Sequence, residues 1–114
     1  MTVREMTERV ELQLETASDC LGAEVAGGHA GDLLSTVMAN AGEGDVWVTW
    51  HVHPNIVAAA LVARLSAIIL VNGRDPEEET ARKAEQEGVA ILVTKLSAFE
   101  IIGRLYGMGI MGAE

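Results

Sequence analysis

The sequence predicts an α/β fold: a single domain in which a mostly parallel sheet is flanked by helices as a three-layer sandwich. Short apolar segments alternate with amphipathic segments from residue 45 to residue 108, which is typical of a parallel sheet with right-handed crossovers. Hydrophobic residues make up 49% of the 114 residues, enough for one core. Charged residues make up 22%, an ordinary proportion that argues against disorder.

The first third of the chain predicts two helices and two strands. Residues 3–10 carry apolar side chains at helical spacing, which indicates a short helix. Residues 12–16 alternate apolar and polar side chains and predict a half-buried strand. A connector leads to a candidate strand over residues 24–30, and residues 33–41 return to the helical pattern. The position of these two strands in the sheet stays open.

The centre of the chain predicts a strand, a helix and a second strand. Residues 45–50 predict the first strand, and Pro54 suits the first turn of a helix that continues to Leu65. Residues 67–71 form a continuous apolar run with β-branched side chains. Such a run is typical of a strand that is buried on both faces of a parallel sheet.

Two more helices enclose a last strand. Asp75 is a favourable N-cap with Pro76 behind it, which predicts a helix that ends at Gly88. Residues 90–94 predict a buried strand. Ser97 and the glutamate three residues later form the pattern of a capping box, which predicts the start of the last helix.

Residues 1–114 are therefore expected to form one domain. Its core is expected over about residues 3–108, and residues 109–114 are expected to form a flexible tail rich in glycine and methionine. Unpaired sheet edges and uncovered helix faces in so short a chain favour a homodimer.

Charge and cysteine content exclude several classes of protein. Eight Lys and Arg against seventeen Asp and Glu give a formal net charge of −9. Such a chain repels nucleic acid and anionic membranes, so neither is expected as a partner. The single cysteine, Cys20, excludes an internal disulfide. Together with the absence of a signal-peptide pattern, it favours a cytoplasmic location.

The candidate binding site lies where the predicted strands end. Ligands of open parallel sheets bind outside the carboxyl ends of the strands. Three loops follow these ends, over residues 49–55, 71–76 and 94–97, and the segment 27–32 joins them if its strand is parallel. Helix N-termini, together with Arg74 and Lys95, favour a small anionic ligand. The alternative is that these polar residues only cap helices and bind nothing.

His51 and His53 carry a weaker, alternative prediction of a metal-dependent enzyme. Two histidines at i and i+2 of an extended segment point to one side and could share a metal ion, with His29 or Asp32 as a third ligand. The competing interpretation is that His53 caps a helix and His51 packs at a strand end. No phosphate-binding loop and no Gly-x-Ser-x-Gly motif occurs, so no catalytic residue and no cofactor is predicted.

Taken together, four segments resemble stand-alone DRTGG-domain proteins. They are VAGGHAGDLLSTVMANA, DVWVTWHVHPNIVAAA, AIILVNGRDPEEET and AILVTKLSAFEIIGRLYGMGI, and the resemblance covers about residues 3–110. Similar domains form the N-terminal part of HPr kinase/phosphorylase and lie between CBS domains in some pyrophosphatases. Of the letters that name the family, only Gly73 has a counterpart here. The segments that characterise the stand-alone group are residues 31–35 and 53–55.

The resemblance implies a non-catalytic regulatory or sensory domain that binds a small anionic, nucleotide-like ligand. The alternative that it implies is an accessory subunit of a hydrogenase or redox system with no small ligand, because stand-alone members are often encoded beside hydrogenase genes. Hydrogen bonds from amide and imidazole groups, a backbone nest at Gly73 and charge pairing by Arg74 would hold the ligand. The expected ligand-binding residues are Asp32, Ser35, His53, Asn55, Asn72, Gly73 and Arg74.

Overall fold

A computed structural model describes residues 1–113. The helices are α1 (Val3–Arg9), α2 (Leu34–Asn40), α3 (Asn55–Ala63), α4 (Glu78–Glu87) and α5 (Ala98–Gly107). The strands are β1 (Gln13–Leu14), β2 (Gly27–Ala30), β3 (Asp45–Thr49), β4 (Ala67–Leu70) and β5 (Ile91–Val93), and a short 3-10 helix spans Ser18–Cys20. No helix in this described part of the chain is long and apolar enough to cross a membrane.

The strands form one sheet in the order β1-β5-β4-β3-β2. β2, β3, β4 and β5 run parallel, and β1 pairs antiparallel with β5. The α/β prediction is confirmed, and the positions of β1 and β2, which the sequence left open, are now defined. Because β2 is parallel to β3, the segment after Ala30 reaches the same edge of the sheet as the loops after the other parallel strands.

Helices cover both faces of the sheet. On one face, Trp47 and Ile68 pack with Val37 of α2, Ile56 of α3 and Ala84 of α4. Successive crossovers of one hand, between strands that are neighbours in sequence and in the sheet, place their helices on one side in this way. On the other face, strand residues pack with side chains of α1 and α5. The predicted three-layer sandwich is confirmed.

At the N-terminus of α5, only one of the two hydrogen bonds of the predicted capping box forms. The Ser97 hydroxyl accepts a hydrogen bond from the amide of Glu100 at 3.2 Å, as predicted. The Glu100 carboxylate turns instead to Arg104, whose Nε donates to it at 3.2 Å. A complete capping box occurs at α1, between Thr2 and Glu5, where the sequence analysis did not place one.

The predicted start of α4 is wrong by about two residues. The helix begins at Glu78 with Glu77 as its N-cap residue, and Asp75 and Pro76 precede it. The reason is a tertiary contact, since the Val52 carbonyl accepts from the Glu77 amide at 3.2 Å and from the Thr80 hydroxyl at 2.7 Å. Glu77 is therefore held in an extended conformation, and the helix starts after it.

The chain after α5 lies against the outer edge of β2. Ile110 is 8% exposed and belongs to the core on the α1 and α5 face. The Gly28 amide donates to the Met111 carbonyl at 3.0 Å. Within the segment expected to be a flexible tail, Ile110 and Met111 make these contacts. Glu114 lies outside the described residues.

Candidate functional site

Asp32 joins two of the loops at the carboxyl ends of the strands. Its Oδ1 accepts from the Thr49 hydroxyl at 2.7 Å and from the Trp50 amide at 2.9 Å. The same Thr49 oxygen accepts from the His51 amide at 3.1 Å. These bonds fix the loop after β2 to the loop after β3. The two loops are neighbours because the two strands are parallel and adjacent.

A cavity of about 280 Å³ opens between these loops and the start of α4. We call it the strand-end cavity. Its lining residues come from three segments that are distant in sequence: Asp32, Trp50, His51, Val52, His53, Arg74 and Glu77. Three of the seven predicted ligand-binding residues, Asp32, His53 and Arg74, therefore line one cavity.

Arg74 is the basic group of the strand-end cavity. Within residues 1–113, no carboxylate lies within 4.0 Å of its guanidinium, whereas Arg64 and Arg104 both form ion pairs. A guanidinium without a protein partner remains available for a ligand phosphate or carboxylate. Asp32 and Glu77 place two carboxylates on the same lining, so the cavity is not uniformly positive, and Arg74 is the residue that an anion would have to contact.

His53 lies directly before Pro54, the N-cap residue of helix α3, and bonds the first turn of that helix. Its Nδ1 accepts from the Asn55 amide at 3.1 Å, and its carbonyl accepts from the Ile56 amide at 3.1 Å. A ring nitrogen that accepts a hydrogen bond carries no proton itself, so Nε2 is the hydrogen-bond donor of this ring, and the residue lines the cavity. The N-cap residue of α3 is Pro54, so the capping interpretation of His53 is off by one residue. The first amides of α3 are nevertheless already engaged by the protein.

The metal alternative requires a third ligand close to the two histidines. The rings of His51 and His53 are edge to face, with their centroids 6.3 Å apart. No group of three or more His, Cys, Asp or Glu side chains in residues 1–113 is arranged to hold a metal ion. His29, one of the two suggested third ligands, lies on β2 opposite Trp47 in the register of the sheet, with its Nε2 buried and unpaired.

Asn72 and Gly73 form a tight turn rather than an anion nest. Their φ angles are +60° and +70°, and the Arg74 amide donates to the Val71 carbonyl at 3.1 Å. These are the features of a type I′ turn, for which Asn-Gly is the favoured pair. The Gly73 amide donates to the Thr94 carbonyl at 2.9 Å, and the Asn72 amide to the Leu96 carbonyl at 2.8 Å. The predicted nest is wrong, because both amides bind the loop after β5.

The turn separates the strand-end cavity from a larger cavity of about 590 Å³ beside β1 and β5. Gly73 lines this larger cavity together with Lys95. Its lining also carries three carboxylates, those of Glu11, Glu15 and Asp75. Three negative groups against one ammonium repel an anion, so the larger volume is the less suitable place for a phosphate.

Three predicted residues line neither cavity, namely Ser35, Asn55 and Asn72. Ser35 is exposed on α2, and Asn55 is exposed at the start of α3. Trp50, in contrast, is not among the predicted ligand-binding residues, and it is 50% exposed on the lining of the strand-end cavity. Its exposure follows from the end of the strand at Thr49, one residue before the predicted end, so the sequence carried no signal for it.

Comparison with known proteins identifies a matching family and a solved structure with a similar fold. The family model of the DRTGG domain matches residues 30–108. The chain is similar in fold to the solved CBS and DRTGG domains of the regulatory region of a Clostridium perfringens pyrophosphatase, complexed with the activator diadenosine tetraphosphate. The TM-score is 0.71 at 12% sequence identity, with 99% of this chain and 51% of that chain covered. This chain thus spans about half the length of that structure. No curated protein matches it in sequence.

Proposed function

Since this chain belongs to the DRTGG domain family, we propose that it is a regulatory domain that binds a nucleotide-like ligand in the strand-end cavity. The observation that carries the proposal is the juxtaposition of the unpaired guanidinium of Arg74 with the half-exposed ring of Trp50 on one lining. A nucleotide combines an aromatic base with phosphates, and these two side chains have the matching chemistry. The proposal assigns no catalytic residue.

Each lining residue has a distinct role in this proposal. The Trp50 ring stacks on the base, a contact that is worth about 1–3 kcal/mol per base. Arg74 pairs with phosphate oxygens, which its planar guanidinium fits in bidentate geometry. His53 donates from Nε2, and Asp32 holds the two loops in register without touching the ligand.

The similar regulatory region of the pyrophosphatase supports the ligand class. That structure contains a dinucleoside polyphosphate activator, which has two bases and a chain of phosphates. At 12% identity the likeness concerns the fold, so the residues that bind the ligand here are argued from the strand-end cavity alone.

Isothermal titration with adenine and guanine nucleotides and with diadenosine tetraphosphate tests the proposal. We expect Arg74→Ala to weaken binding roughly 10-fold or more, the loss of one charged hydrogen-bonded contact. Trp50→Ala removes the stacking surface and is expected to weaken it by a similar factor. Lys95→Ala, on the lining of the larger cavity, is the matched control and should leave binding unchanged.

The outcomes separate the site from the function. If no nucleotide binds the wild-type chain, the proposed function fails. If a nucleotide binds but Lys95→Ala abolishes binding while Arg74→Ala does not, the ligand occupies the cavity beside β1 and β5. Thermal denaturation of each variant confirms that the loss is not unfolding, because all three positions are exposed.

A second candidate function is an accessory subunit, such as one of a hydrogenase or redox system, with no small ligand. It is favoured by exposed apolar side chains on the α2 and α3 layer. Leu61 and Val62 of α3 are 43% and 66% exposed, and Met38 of α2 is 47% exposed. Exposed apolar side chains on one layer are a candidate contact surface for a partner protein. A chain that binds no nucleotide, but is retained by a purified redox partner unless Val62 is changed to Glu, would establish this function.

A further inference from the structure

The lining of the strand-end cavity carries more negative than positive charge. Arg74 is the one basic side chain among the lining residues, and Asp32 and Glu77 are acidic. With the histidines counted as neutral, one guanidinium against two carboxylates leaves a formal charge of −1. Within residues 1–113 neither carboxylate forms an ion pair with Arg74. All three charges therefore act on a bound ligand.

Backbone hydrogen bonds fix where Arg74 and Glu77 enter the lining. The Arg74 amide donates to the Val71 carbonyl at 3.1 Å and closes the turn after β4. The Glu77 amide donates to the Val52 carbonyl at 3.2 Å, which holds the segment before α4 against the loop that carries Trp50. The place of Glu77 on the lining thus follows from the course of the backbone, and not only from the conformation of its side chain.

Arg74 has the capacity to bind one phosphate group. Its planar guanidinium donates two parallel hydrogen bonds to a single phosphate. A second or third phosphate would find no further basic side chain on the lining. Lys95 lines the larger cavity, on the other side of the type I′ turn. At the start of α4, Glu78 and Glu79 already place negative charge at the positive end of the helix.

The size of the strand-end cavity also favours a small nucleotide. Its volume of about 280 Å³ lies just below the range of small-molecule sites, which is about 300–1,000 Å³. Trp50 is the one large aromatic side chain on the lining, and it offers a stacking surface for one base. A dinucleoside polyphosphate, the class of activator in the similar pyrophosphatase structure, has two bases and a chain of phosphates, which exceeds what this lining offers.

On the basis of the function proposed above, we propose that the strand-end cavity selects a nucleotide with a single phosphate group, a nucleoside monophosphate, over the corresponding di- and triphosphates. Arg74 binds the one phosphate, and Glu77 sets the selection because its carboxylate repels any further phosphate. Asp32 adds to the repulsion, but its carboxylate also holds two loops together through Thr49 and Trp50. Glu77 is therefore the residue whose charge can be removed by itself.

The expected selectivity is moderate, because Arg74 and Glu77 are exposed and water weakens the interaction of exposed charges. We expect a monophosphate to bind roughly fivefold more tightly than the triphosphate of the same nucleoside, the ratio that about 1 kcal/mol produces. This ratio applies at about 0.1 M salt, where the screening length is roughly 10 Å. At about 1 M salt the screening length is roughly 3 Å, and the ratio should fall toward one.

Isothermal titration of the full chain with the mono-, di- and triphosphates of adenosine and of guanosine measures this selectivity. The titrations are made at about pH 8, where imidazole is neutral, and with EDTA, because a divalent metal ion would neutralise the triphosphate. Affinity should fall from the monophosphate to the triphosphate of the bound base. Glu77→Gln keeps the shape of the side chain and removes its charge, so the ratio should fall below about twofold.

Glu87→Gln is the matched control, because it changes the net charge of the chain by the same amount. Glu87 is exposed and is the last residue of α4, nine positions after Glu78. Nine positions correspond to about 13.5 Å along a helix, which is more than the screening length of roughly 10 Å at about 0.1 M salt. Glu87→Gln should therefore keep the wild-type ratio. Thermal denaturation shows whether both variants are folded.

The outcomes distinguish the selectivity from the proposed function. If no nucleotide of either series binds the wild-type chain, both fail. If nucleotides bind and Arg74→Ala weakens them, but the triphosphate binds as tightly as the monophosphate, the proposed function stands and the selectivity is overturned. A ratio that Glu77→Gln leaves unchanged, or that Glu87→Gln lowers equally, overturns the role of Glu77.

Discussion

The carboxylate of Asp32 accepts a hydrogen bond from the Thr49 hydroxyl at 2.7 Å, across the ends of two neighbouring parallel strands. The two residues are 17 positions apart in the chain. Thr49 is 2% exposed, and its oxygen also accepts the His51 amide at 3.1 Å. One side chain on the loop after β2 thus fixes the conformation of the loop that carries the aromatic and imidazole groups of the strand-end cavity.

We expect Asp32→Ala to lower the free energy of unfolding by about 1–3 kcal/mol, because it removes an acceptor from a buried hydroxyl and an amide. Asp32→Asn keeps an acceptor oxygen and should cost less. Urea denaturation measures both values. Equal losses in the two variants would show that the negative charge, and not the hydrogen bonds, is what matters at this position.

Thr16, just after β1, likewise uses its side chain to join two segments, here those at β1 and β5. Its hydroxyl donates to the Val89 carbonyl at 2.7 Å and accepts from the Ile91 amide at 2.9 Å, and the residue is 4% exposed. Thr16→Val keeps the shape but leaves both backbone groups without a partner. We expect a loss of about 2–4 kcal/mol in denaturant unfolding, since each buried unsatisfied group costs about 1–3 kcal/mol. Thr16→Ser retains the hydroxyl, and its loss should be clearly smaller.

Glycine is favoured at position 73 because of the backbone conformation there, and not because a side chain would lack space. Its φ is +70°, and an added Cβ would meet nothing within 4 Å. Gly73→Ala should therefore destabilise by about 1–2 kcal/mol, the cost of a left-handed conformation for an L-residue. Gly22 also has open space but no positive φ, so Gly22→Ala is the control and should be neutral or slightly stabilising in the same thermal unfolding assay.

The capping box of α1 makes a small contribution to pH dependence. The Thr2 amide, and then the Thr2 hydroxyl, donate to the Glu5 carboxylate and hold the pKa of Glu5 below its ordinary value of 4.5. A carboxyl with a depressed folded pKa favours folding above the unfolded pKa, and this contribution is lost as pH falls through the folded pKa. NMR titration of Glu5 in Thr2→Ala should show its pKa moving part of the way back up. A pKa that stays where it is in wild type would show that the backbone amide alone is responsible.

The element pattern was predictable because it is a local property. The continuous apolar runs of β4 and β5 and the helical spacing of α1 and α5 are read within a few residues, and the structure confirms them. The start of α4 was not predictable, because the Val52 carbonyl that captures Glu77 and Thr80 lies about 25 residues upstream. Local capping rules favoured Asp75, and a tertiary contact overrode them.

In the candidate site too, local properties were predictable from the sequence and tertiary contacts were not. The type I′ geometry of Asn72 and Gly73 follows from the favoured residues of that turn, whereas the partner of the Gly73 amide, on which the predicted anion nest depends, does not. Only the structure shows where its amide points, toward the Thr94 carbonyl. The exposure of Trp50 was not predictable, because it depends on the strand ending at Thr49, one residue before its predicted end.

By itself, the sequence determined the α/β class, the alternation of strands and helices, and the loops at which polar residues collect. Those properties depend on periodicity and on residue chemistry within short windows. Tertiary structure decided the place of β1 and β2 in the sheet and the grouping of Asp32, Trp50 and Arg74 around one cavity. These depend on contacts between residues far apart in the chain, whose pairing is set by the packing of the whole core and not by any local pattern.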